Sequence, residues 1–109
     1  MADNFVLVLS TCPTQESAER IAREVVAARL AACVNVIPGL RSYYEWKGQI
    51  EVGDEVLLVI KSRMELFEAL QNAITSQHPY ELPEVIAVPI STGFPPYLAW
   101  LAANMRTPA

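Results

Sequence analysis

Two stretches of this chain are unbroken and apolar, "FVLVL" at 5–9 and "VLLVI" at 56–60. Two others of similar character are interrupted by proline, "CVNVIPGLRSYYEW" at 33–46 and "EVIAVPIS" at 84–91. A strand covered by neighbours reads as a continuous apolar run. Proline lacks the N–H that a ladder needs and is confined to edges and bulges. The strands at 4–11 and 50–61 are therefore expected in the middle of a sheet. Those at 33–46 and 84–91 are expected at its borders.

The stretches between them read as helices. Over 15–31, Ala18, Ile21, Ala22, Val25 and Ala28 recur at three- and four-residue spacing, and Thr14 is placed to cap the start. Over 64–77, Phe67, Leu70 and Ile74 share a face, and Pro79 is expected to end the helix. A last helix is expected over 93–105, begun by paired prolines, before a frayed "RTPA" tail. The order is βαββαβ plus a terminal helix, which fits an α+β, ferredoxin-like split βαβ sheet with right-handed crossovers. The chain reads as one domain over 1–109.

The hairpin formed by the second and third strands is longer than such a core needs. Its excess carries Tyr43, Tyr44, Trp46 and Ile50. An aromatic hairpin in water is an aggregation hazard unless a partner covers it. A homo-oligomer joined through edge strands and hairpins is expected.

Net charge is −4 with no basic stretch, which disfavours duplex nucleic acid as a partner. No apolar run is long enough to span a bilayer, and no basic region precedes the first one as a secretory signal requires. Cys12 and Cys33 form neither a CxxC pair nor a dense framework, so reduced thiols and a cytoplasmic location are expected.

At "ARLAACVNVIPG" (28–39), "SYYEWKGQIE" (42–51), "EVLLVIKS" (55–62), "HPYELPEVIAVPI" (78–90) and "YLAWL" (97–101), the chain resembles the CutA family of divalent-cation-tolerance proteins. The resemblance implies a ferredoxin-like homotrimer whose long hairpins pair between subunits. It also implies a weakly bound cofactor, Cu(II) or another divalent cation, at intersubunit clefts. The architecture resembles the PII signalling proteins too, so a signalling or scaffold trimer for a small ligand or partner protein is the alternative.

His78 is the only histidine. It has a bland role at a helix C-terminus and a sharper one as a metal ligand. In a bacterial relative the suggested copper ligands fall at positions that here carry Ser10, Gln77 and His78. Cys12 lies two residues beyond Ser10, so on a strand it shares that face and can stand in. Cys33 reads as a small buried hydrophobe, or as a thiol near a cleft, since the matching family position is also cysteine. The metal candidates are His78, Cys12 and Cys33.

Glu55 and Lys61 flank the third strand's apolar run on one face, about 20 Å apart by strand rise, so each needs a partner from elsewhere. Tyr43, Tyr44, Trp46, Tyr80 and Trp100 read as packing or interface anchors. Glu84 completes the set expected at a cleft or interface. Enzymatic readings lack their residues. The "STCPTQ" loop has neither the Gly nor the Arg of an acylphosphatase cradle, and a single histidine limits acid–base chemistry. The central strands also lack the aromatic platform of an RNA-recognition domain. The chain is read as a non-enzyme.

Overall fold

The computed structural model describes residues 4–107. Residues 1–3, where the signal reading began, and the end of the "RTPA" tail lie outside it. The elements run β1 (Phe5–Cys12), α1 (Gln15–Ala27), β2 (Cys33–Trp46), β3 (Gln49–Arg63), α2 (Phe67–Thr75), β4 (Ile86–Pro89) and α3 (Pro95–Ala103). All four strands join one antiparallel sheet in the order β2-β3-β1-β4. The unbroken runs hold the centre and the proline-bearing strands the edges, as the sequence implies. Pro38 sits at the register shift between Ile37 and Leu40, where Gly39 takes φ 84°. Pro89 ends β4.

The hairpin closes on Lys47 and Gly48, both at positive φ. Two such central residues match the right-handed twist of the arms they join. The arms run to 14 and 15 residues, the first as expected over 33–46 and the second longer than the expected 50–61. It draws the molecule out to 47 Å along its longest axis.

α1 starts where Thr14 predicts. The Thr14 hydroxyl accepts from Ser17 N–H, and the Ser17 hydroxyl accepts in return from Thr14 N–H. The helix ends at Ala27 rather than 31. Arg29 adopts φ 58°, Leu30 N–H bonds Val25 O, and Arg29 N–H bonds Val26 O. That is the reversed pairing of a left-handed helix stop, which glycine ordinarily signals. The segment expected as one helix over 64–77 divides into a 3₁₀ turn, Met64–Leu66, and α2. α2 ends before Pro79 can act: the Ser76 and Gln77 side chains bond the open Ala73 carbonyl, and the Thr75 hydroxyl turns back to Gln71 O. β4 is four residues, not eight, because its ladder spans only Val6–Leu9 of β1.

α1 and α2 cover one sheet face. Val6, Val8 and Cys12 of β1 and Val56, Leu58 and Ile60 of β3 bury there against Ile21, Val25, Leu70 and Ile74. Each such aliphatic side chain contributes about 1.5–3 kcal/mol. A smaller cluster joins Leu101 and Met105 to Leu66, Ala32 and Phe5. α3 is tied there by Arg63 to Ala102 O and Arg29 to Ala103 O. The other sheet face stays largely bare. Leu7, Leu9, Leu57 and Val59 are half-buried, and Ile37, Ile86 and Val88 are exposed. The unbroken runs thus mark central strands, with a single face covered inside one chain.

Candidate functional site at the end of strand 1

β1 ends at Cys12, which pairs with Val56 on the helix-covered face and is fully buried. Cys12 therefore remains in the strand on the same face as Ser10. Pro13 then turns the chain into α1. The loop after α2 carries His78, 66 residues further on, back to this point. The His78 Nε2 lies 2.8 Å from the Thr11 carbonyl and 3.7 Å from the Cys12 Sγ. Tyr80 N–H donates to His78 Nδ1 at 3.0 Å. Nδ1 is therefore an acceptor, and the ring proton sits on Nε2, where it donates to Thr11 O.

A second group holds the loop from the sheet side. The Tyr80 ring lies 5.0 Å from the imidazole. Its hydroxyl donates to Glu55 Oε2 at 2.8 Å, and Ser42 Oγ donates to Glu55 Oε1 at 2.6 Å. Arg20 of α1 holds Gln77 O at 3.4 Å on the other side of His78.

Burial pushes the Cys12 thiol up, the Glu55 charge adds to this, and Ser17 and Arg20 pull against it. Burial also pushes the Tyr80 phenol up, followed by its bond to the Glu55 carboxylate. Ionised Tyr80 cannot donate, so this bond's contribution to stability is complete below about pH 10, where an unfolded tyrosine titrates. It is lost as pH rises through the higher folded value.

The three proposed ligands separate into a pair and an outlier. Cys12 and His78 meet. Cys33 pairs in register with Lys61, on the sheet face opposite Cys12, and is half-buried rather than part of the core. Lys61 Nζ lies 4.0 Å from Cys33 Sγ and bonds Asn35 Oδ1. Lys61 and Glu55 therefore each find partners from outside their own strand. No group of three or more His, Cys, Asp or Glu side chains converges among the described residues. Ser10 Oγ and Gln77 Oε1 are buried without a hydrogen-bond partner among the described residues, and neither is bonded to the pair.

Of the expected anchors, Tyr43, Tyr44 and Trp46 lie exposed along the hairpin, and Trp100 stacks on Tyr97 at 5.8 Å on the outside of α3. Glu84 is exposed beyond the loop. The sequence reading missed Thr11 O, Ser17 and Ser42. Ser42 meets Glu55 only through the register that follows the irregularity at Pro38 and Gly39; "PG" signals the irregularity but not the pairing it produces.

A family model described as CutA1 divalent ion tolerance protein matches residues 6–104. A mouse protein named Protein CutA is 55% identical over 91 residues, which cover 84% of this chain and 51% of that protein. The chain thus spans about half the length of this relative. The divalent-cation tolerance protein CutA of Thermus thermophilus is 44% identical over 98 residues, 90% of this chain and 95% of that one. The crystal structure of CutA from Xylella fastidiosa matches with a TM-score of 0.92 at 44% identity, covering 94% of this chain and 99% of that chain. Relatives are named for different compartments, the chloroplast in Arabidopsis thaliana and the periplasm in Archaeoglobus fulgidus. Among the described residues no helix is long and apolar enough to cross a membrane. The chain belongs to the CutA1 family of divalent ion tolerance proteins.

Proposed function

We propose that this chain serves in divalent-cation tolerance as a homotrimer that takes copper or another divalent ion, weakly, at the Cys12–His78 pair. It acts as a binding protein rather than an enzyme. The observation that carries this reading is the 3.7 Å approach of Cys12 Sγ to His78 Nε2. Thiolate and imidazole are donors that copper and zinc favour.

Three features make the binding weak. The pair supplies two protein donors, with no third acidic, Cys or His side chain converging among the described residues. Both imidazole nitrogens are already hydrogen-bonded. The thiol must also release its proton on binding, against the burial that holds it protonated.

Assembly is supported by the bare sheet face, the aromatic hairpin and the exposed aromatics of α3. Apolar surface of this extent marks interaction sites. The number of subunits comes from the family resemblance, and the contact surfaces from this chain. A cytoplasmic location is favoured by two free cysteines.

Calorimetric titration of the wild-type chain with Cu(II) tests the metal site. Wild type is expected to bind in the range of about 10 µM to 1 mM, as a two-donor site with competing hydrogen bonds allows. Cys12→Ser and His78→Ala should each weaken this at least about tenfold. Equal binding by all three proteins removes the pair from any cation site.

A further inference from the structure

We propose that the loop over residues 77–82 is a latch on Cys12, closed by Tyr80 and opened by the act of cation binding. This rests on the reading of Cys12 and His78 as the cation site. In the closed form Cys12 is 0% exposed and His78 8%. Tyr80 makes two bonds from one residue, its amide to His78 Nδ1 and its hydroxyl to Glu55. Ser42 fixes the same Glu55 carboxylate from β2. Pro79 stands between His78 and Tyr80 and restricts the backbone that joins them.

The tautomer makes closure and cation binding exclusive. A cation on Nδ1 displaces Tyr80 N–H directly. A cation on Nε2 displaces the bond to Thr11 O and leaves the neutral ring's proton on Nδ1, facing Tyr80 N–H donor to donor. Either route costs Tyr80 its acceptor. The Cys12 proton leaves to water, the thiolate joins the ion, and no electron is transferred. Arg20 still holds the loop's start at Gln77 O, and the Tyr80–Glu55 bond holds its far side, so the strength of that bond sets how often the thiol becomes reachable. Apparent cation affinity then scales with the fraction of open loop.

The test uses full chains carrying Cys33→Ser, so that Cys12 is the only thiol, and a maleimide label. Without metal, Tyr80→Phe should label about tenfold faster, the effect of losing one charge-assisted hydrogen bond. Tyr97→Phe makes the same chemical change on α3 and should label at the parent rate. If Tyr80→Phe does not fold, Glu55→Gln weakens the same bond and carries the same expectation. An unchanged labelling rate overturns the latch.

Zinc(II), which is redox-inert, is then added as the cation probe. It should protect Cys12 at roughly tenfold lower concentration in Tyr80→Phe than in the parent. Equal protection of both overturns the exclusion between latch and cation. Protection of neither, with faster labelling retained, keeps the latch and overturns the cation site.

Discussion

Val88→Asp is expected to leave the chain folded and to reduce the particle from about three chains to one. Val88 lies on edge strand β4, opposite Leu7, on the sheet face that α1 and α2 leave uncovered. Within one chain the position is exposed, so the substitution costs about 0.5 kcal/mol or less. Between copies of the chain it buries a carboxylate without a partner, which costs several kcal/mol. Each 1.4 kcal/mol is tenfold in a dissociation constant, so subunit affinity should fall by roughly a thousandfold or more. Light scattering against the wild type reads this directly. An unchanged mass for the variant would place Val88 outside the contact.

Leu58→Ala is expected to cost about 2–5 kcal/mol of stability, measured by urea unfolding at fixed protein concentration. Leu58 is fully buried on central strand β3, opposite Ser10 of β1 and Val36 of β2. Sheet neighbours on both sides and helices above leave the cavity little room to collapse. A loss below about 1 kcal/mol would mean that this layer repacks freely, contrary to the rigidity expected of a closely packed core.

The strand order was legible because proline acts on the backbone itself. Pro38 and Pro89 cannot donate to a ladder wherever they fall, so they reported edges without knowledge of the partner strands. Helix ends were less legible. Arg29 takes the left-handed stop that glycine would have announced, and its neighbours continue an apolar helical pattern. The serine and glutamine closure of α2 anticipated the proline by several residues.

Within the site, the face shared by Ser10 and Cys12 followed from strand alternation alone. The approach of His78 did not, because it depends on how α2 returns over the sheet. The separation of Cys33 from the Cys12–His78 pair was hidden for a related reason. Its face is decided by its register opposite Lys61, which sequence spacing does not reveal. The unbroken apolar runs carried a further message. Leu7, Leu9, Leu57 and Val59 are apolar although α1 and α2 leave their face uncovered, as expected for side chains that meet another copy.

Native mass spectrometry of the wild-type chain with Zn(II) measures both halves of the functional proposal at once. The prediction is a particle of about three chains that carries up to one ion per Cys12–His78 pair, and that loses those ions in Cys12→Ser. A single-chain particle, or a particle whose ion count is the same in Cys12→Ser, would contradict it.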